Sequence, residues 1–338
     1  MNHDENLQRS HPTSNNPELD SKITTVSRMH YSILTVLAFL TLETASAQRI
    51  DSLKALLPAT MGLKKCDVLY QLAYECIDFD NDASIEWGNK SLQLAKSYGD
   101  SLRIVKASRI KAVGFRRLGL IDSSLTVSNY ILPIARRNKF DQELKHILNG
   151  LTIIYVHKSF YDKALRYSFE SLELRKKIGS DADVGVALNN VGLVYFKLED
   201  YDKALDYFFK DIELRNKTNS SYFLNTTLIN IGLCYAYKGN YKEATQYVGQ
   251  STSWCNEKCS DTLQIRSNFA LGLIAYGMKN YAKAEEYFYN SFQLARRLNN
   301  EQFQLDNIVY LTQTYVKNGR SMKLRHWQRS LRICCRQS

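Results

Sequence analysis

An eight-residue pattern recurs four times in this chain, each copy 40 residues after the last. It begins at Phe160-Tyr-Asp-Lys-Ala-Leu-Arg-Tyr167 and returns as Asp200–Tyr207, Asn240–Tyr247 and Asn280–Tyr287. Three columns run through all four copies: Tyr161, Tyr201, Tyr241 and Tyr281; Ala164, Ala204, Ala244 and Ala284; Tyr167, Tyr207, Tyr247 and Tyr287. Upstream, Gly192, Gly232 and Gly272 keep the same spacing, as do Tyr155, Tyr195, Tyr235 and Tyr315. A unit this short cannot bury its apolar face alone, so repetition at this period implies supersecondary units stacked on one another. With 4 prolines and 15 glycines in 338 residues, turn-rich β sandwiches and barrels are excluded. A 44% hydrophobic content against 23% charged supports a buried core rather than disorder.

These residues resemble the tetratricopeptide repeat. The resemblance covers roughly residues 60–320 and rests on Leu188-Asn-Asn-Val-Gly-Leu-Val-Tyr195 followed by Ala204 and Phe208. It implies an all-α fold, a right-handed α-solenoid of antiparallel helix pairs, with six to seven units across residues 48–320. The small residue in helix A lets helix B approach, and the alanine makes room where the helices cross. The aromatics fill the space between neighbouring pairs. The usual family period is 34, so these units resemble the long kinesin-light-chain and bacterial peptide-receptor branches. The pattern weakens toward the ends: unit 105–144 has Ser124 where alanine belongs, and unit 66–104 is looser still. The tail 321–338 reads either as a basic, imperfect capping helix or as a frameshifted end.

Nothing in the sequence assembles a catalytic constellation. There is no glycine-rich phosphate loop, metalloprotease helix or nucleophile elbow. His146 and His157 lie eleven residues apart on one helix, about 16 Å along its axis, too far to share a metal or a proton. No metal and no cofactor is expected. The net charge of +11 divides into −2 for residues 1–47, +6 for 320–338 and +7 between, short of a nucleic-acid-binding stripe. Cys255 and Cys259 stand four apart; a disulfide clip and two buried thiols both remain open.

The first 28 residues form a polar leader. Tyr31–Leu42 is an apolar run of twelve followed by Ala45-Ser46-Ala47. That run is too short to span a bilayer, which takes about 20 residues. It has the length of a signal-peptide core, which places a signal peptide at 29–47 with cleavage between Ala47 and Gln48. The expected location is periplasmic or secreted, with no membrane span in the mature chain. A cytoplasmic location is the alternative if the leader is retained.

The resemblance also implies a function: a non-enzymatic module that binds a protein or peptide segment in a concave groove lined by helix A. Family positions 2, 5, 6, 9, 12 and 13 face that groove. With Gly192 as position 8, Asn190 and Asn230 occupy position 6, where family asparagines grip a peptide backbone, and Asn149 and Asn189 occupy position 5. A carboxamide both donates and accepts, so it matches a peptide group without reading its side chain. Lys106, Arg109, Arg116 and Arg117 fall at positions 2, 5, 12 and 13 of unit 105–144, four cations without an acid, suited to an acidic segment. Phe196, Leu233, Tyr237, Phe269 and Tyr276 offer apolar anchors. The alternative is the sensory half of a bacterial sensor kinase or transcriptional regulator, cut before its transmembrane and output domains.

Overall fold

In a computed structural model of the chain, residues 47–77, 79–217, 224–254, 260–298 and 300–319 are described. The leader 1–28, the apolar run, Cys255, Cys259 and the tail 321–338 lie outside them. The account below concerns residues from Ile50 onward, which cluster as one compact unit. Its helices are α1 (Gly62–Cys76), α2 (Asn81–Ser97), α3 (Ser101–Arg117), α4 (Ile121–Arg137), α5 (Asp141–His157), α6 (Tyr161–Ile178), α7 (Asp181–Lys197), α8 (Tyr201–Lys217), α9 (Leu224–Tyr237), α10 (Tyr241–Trp254), α11 (Asp261–Gly277), α12 (Tyr281–Arg297) and α13 (Glu301–Lys317). Among the described residues there is no strand, and no helix is long and apolar enough to cross a membrane.

Successive helices pair as hairpins, and the backbones of the odd-numbered helices also approach one another from α1 through α13, whereas the even-numbered helices meet only through long side chains, as Phe169 meets Tyr207 and Arg136 meets Glu170. A stack whose first helices are in contact while its second helices are spread must curve, with the first helices on the inside. The result is an α-solenoid with a continuous inner layer of A helices.

The hairpin turns show how the sequence punctuates itself. Residues 119, 159, 199, 239, 279 and 319, one per period, all have positive φ, from 59° to 81°. Three are glycine, for which this conformation is free of Cβ strain, while Ser159, Glu199 and Lys279 adopt it at a cost. Helix starts are fixed by side chains that accept a backbone N–H. Asp80 takes that of Ala83, Asp100 that of Arg103, and Asn300 that of Phe303.

The repeat columns do the packing. Ala164, Ala204, Ala244 and Ala284 are all fully buried. In the two earlier units serine replaces alanine, and its hydroxyl stays satisfied: Ser84 Oγ donates to Ala73 O and Ser124 Oγ to Ala112 O, both at 2.7 Å. A Cβ on Gly192 would meet Phe208 at 2.6 Å, on Gly232 Val248 at 2.4 Å, and on Gly272 Phe288 at 2.6 Å. The tyrosine columns stack in pairs, Tyr155 on Tyr167 (5.5 Å), Tyr195 on Tyr207 (5.6 Å) and Tyr235 on Tyr247 (5.7 Å), with ring planes within 12° of parallel. Tyr315 is buried at the end of α13.

Candidate functional site

The inner faces of α3, α5, α7, α9 and α11 carry most of the residues singled out from the sequence. Their side chains are tied to one another more than expected. Asn190 on α7 donates through Nδ2 to Asn149 Oδ1 on α5, and Asn230 on α9 donates to Asn189 Oδ1 on α7 at 3.3 Å. Each bond joins position 6 of one unit to position 5 of the unit before, a separation of 41 residues. Asn190 and Asn149 keep a half-buried face on the groove. Asn230, expected to contact a ligand, is instead 2% exposed, and Asn189 is buried as well. Leu233 and Phe269, expected as anchors, are also buried, in the core between units.

Asn189 and Asn230 belong to a polar chain that crosses three units. Arg215 pairs with Asp211 at 2.7 Å, and both are almost fully buried. Thr227 Oγ1 donates to Asp211 Oδ2 at 2.6 Å, Asn189 Nδ2 donates to Thr227 Oγ1 at 2.8 Å, and Arg266 Nη2 donates to Asn230 Oδ1. Such a network is stable in a low-dielectric interior only because its members satisfy one another. Burial raises the Asp211 pKa above the ordinary carboxylate value. The groove end of the chain is Arg266, half-buried on α11. Its Nε is buried without a hydrogen-bond partner, and burial alone pushes its guanidinium down to about 10.

The four cations of unit 105–144 separate into two kinds. Arg109 is neutralised by the next unit: its Nε meets Glu143 Oε2 at 2.6 Å, and its Nη2 donates to Tyr70 OH at 3.0 Å. The expected absence of acid fails here, because the carboxylate comes from α5 rather than from α3. Arg117 donates through Nη1 to the Ile77 carbonyl at the end of α1, one period back in the inner layer. Lys106 and Arg116 remain half-buried, and among the described residues no carboxylate pairs with either. Burial lowers the Arg116 pKa, with Arg117 adding to the effect. Nearby Lys145 and Arg175 are neutralised by Asp183, at 3.1 and 2.7 Å.

The two histidines of α5 were not assigned to the groove from the sequence. His157, at position 13 of its unit, is exposed; recess in the groove lowers its pKa first, then Arg116 on α3 and Lys197 on α7. His146 also has an exposed edge and is held below the ordinary imidazole value by recess, then Arg109, Arg175 and Lys145. At the other end, Tyr237 shares a hydrogen bond with Tyr310 on α13 and stacks on Tyr201 at 5.6 Å, with Phe196 edge-on at 5.6 Å. Asp306 on α13 acts electrostatically on Lys197, so the last described helix reaches back toward the middle of the groove. A signal for the basic row was present in the sequence: His157 and Lys197 share one column, and Arg116 stands one residue before it. Among the described residues no cluster of metal ligands forms. On the outer side a shallow cleft of about 480 Å³ opens beside Phe169, Leu188 and Tyr207.

Sequence profiles described as tetratricopeptide repeat match residues 145–217 in one stretch, and residues 226–258 and 265–297 in two more. No curated protein matches the chain in sequence. Among solved structures, NprR in complex with its cognate peptide NprX is similar at a TM-score of 0.64 and 14% identity, over 94% of this chain and 89% of that one. A Rap protein complexed with Competence and Sporulation Factor is similar at 0.58 and 14%, over 83% and 81%. A STAND signal-transduction ATPase with a tetratricopeptide repeat sensor, from Pyrococcus horikoshii, is similar at 0.56 and 15%, over 78% of this chain and 42% of that chain. At these identities the likeness is one of fold.

Proposed function

The chain is a tetratricopeptide repeat protein, and we propose that its concave face binds an extended peptide or protein segment, with preference for an acidic one. The observation that carries the reading is the inner layer of A helices, where half-buried amides stand beside unpaired cations. Asn149 and Asn190 supply a donor and acceptor pair at mid-groove. Arg116 and Lys106 on one side, and Arg266 on the other, leave positive charge that no described carboxylate neutralises. A guanidinium already removed from bulk water binds a carboxylate more strongly than one on an open surface. The complexes of NprR and of the Rap protein with their peptide factors lend support by analogy of fold. The protein acts through binding rather than catalysis.

The place of action in this reading is outside the cytoplasm, supported by the apolar run Tyr31–Leu42 and the small-residue motif ending at Ala47. Mass spectrometry of the mature N-terminus tests it; a chain still beginning at Met1 or Met29 would overturn it. The binding reading is tested on random peptide arrays with wild type, Asn190→Ala and Arg266→Gln. We expect a set of wild-type hits enriched in Asp and Glu, weakened in both variants. Hits that both variants retain at full strength would remove the groove from the account.

A further inference from the structure

The cations at the C-terminal ends of successive A helices do not behave as separate surface charges. His157 ends α5, Lys197 ends α7, and Arg116 is the last residue but one of α3; these helices are direct neighbours in the inner layer. His157 and Lys197 share position 13, and Arg116 precedes that column by one residue. Three like groups are therefore stacked across three units, with His157 in the middle. Both Arg116 and Lys197 act on it, and among the described residues no carboxylate does. On α3 the next cation, Arg117, is bonded to the Ile77 carbonyl at the end of α1. Within its own helix, His146 lies eleven residues back, outside the row. Among the described residues the acid that reaches the row is Asp306 of α13, which acts on Lys197. Each helix C-terminus carries partial negative charge from its last carbonyls, which favours a cation there but leaves it free to bind an anion.

We propose that Arg116, His157 and Lys197 form one subsite that receives a carboxylate of the bound segment, and that His157 takes up a proton as the carboxylate seats. The inference deepens the groove reading above and rests on it. In the empty groove, recess and two neighbouring cations disfavour the imidazolium. A carboxylate between those cations reverses the local field and adds an acceptor, and both changes favour the imidazolium. Binding is then coupled to one proton, so affinity rises as pH falls across the histidine range, by at most about tenfold per pH unit. Acidic side chains and a chain-terminal carboxylate present the same chemistry and are separated by the probes below.

The test is fluorescence anisotropy at fixed ionic strength between pH 5.5 and 8.5 on the full chain, with helical content checked by circular dichroism. Three labelled dodecapeptides serve as probes: an amidated Glu-Gly repeat, a Gln-Gly repeat with a free C-terminus, and the same Gln-Gly repeat amidated. We expect the amidated Gln-Gly repeat to bind least, and one or both carboxylate probes to bind more tightly as pH falls. His157→Gln should flatten that slope, and His146→Gln should keep it. Arg116→Gln and Lys197→Gln should each weaken the favoured probe by about fivefold or more at every pH. Equal binding of all three probes, absence of binding by both carboxylate probes, or an unaltered slope in His157→Gln overturns the subsite. The array decides separately whether the groove binds peptides, so a protein with array hits and no carboxylate preference keeps the groove reading and loses this one.

Discussion

The ring of Phe208 lies where a methyl group on Gly192 would come within 2.6 Å of it. The two residues are 16 apart, on α7 and α8, and the same offset joins Gly232 to Val248 and Gly272 to Phe288. One period earlier the corresponding residues are Thr152 and Ser168, both buried. Where helix A carries glycine, helix B fills the gap with a large side chain; where helix A carries threonine, helix B shrinks. The hairpin thus conserves volume across a pair rather than residue identity at one site, as a close-packed interior requires.

Gly192→Ala should therefore destabilise, although alanine favours helix. Overpacking costs about 1–3 kcal/mol against a propensity gain of about 1 kcal/mol. Phe208→Ser alone should cost about 3–5 kcal/mol through the cavity it leaves. The double variant Gly192→Thr/Phe208→Ser copies the preceding unit and should be more stable than the sum of its singles. Urea melts of the four proteins check this; strict additivity would show that the two sites do not share volume.

The left-handed turn residues give the opposite sign. Lys279 has φ 61°, and a non-glycine residue there costs about 1–2 kcal/mol, partly offset by the entropy glycine loses on folding. Lys279→Gly should stabilise by about 0.5–1 kcal/mol in a denaturant melt, whereas Gly239→Lys, at φ 81°, should destabilise.

Asp211 and Arg215 are buried as a pair between α8 and α9, against Gly185, whose missing side chain admits them: a Cβ there would lie 2.5 Å from Asp211 Oδ1. Removing the carboxylate strips the buried Arg215 of this counter-charge, so Asp211→Ala should cost about 3–5 kcal/mol. The same substitution strips Thr227 and Asn189 of their acceptor chain, so hydrogen exchange should accelerate in α7 and α9 before α13. Uniform acceleration along the chain would contradict a local network.

The folded chain holds His146 neutral, with its pKa pushed down to about 4 by recess and neighbouring cations, whereas an unfolded imidazole titrates near about 6.5. Folding then excludes a proton, so this contribution to stability is complete above about pH 6.5 and is lost as pH falls from there toward about 4. The exposed edge of the ring keeps the loss modest through solvent screening. Melting temperature should drop with pH over that window, and His146→Gln should shallow the drop; an identical pH profile in the variant would count against the assignment.

Cys234 is fully buried in the core between α8 and α9, and burial pushes its thiol up to about 12. It should resist alkylation by iodoacetamide in the native protein and react on unfolding. Rapid native labelling at this position, mapped by mass spectrometry, would show that the unit opens.

The sequence by itself determined the period, the hairpin, and the residues that hold each pair together. Those features rest on contacts within one unit and between adjacent columns, and a column of alanine, glycine or tyrosine at a fixed spacing has one physical use. The tertiary structure decided which polar residues of the inner layer remain available. Asn149 and Asn190 have the same residue type and the same positions as Asn189 and Asn230, yet the first pair reaches the groove and the second is buried beside Thr227 and Asp211. Arg109 and Arg116 looked equivalent until α5 supplied Glu143 to one and not to the other. Exposure and charge compensation depend on side chains arriving from a neighbouring unit about 34 to 41 residues away, and where those land is set by the stacking of the helices, not by the period.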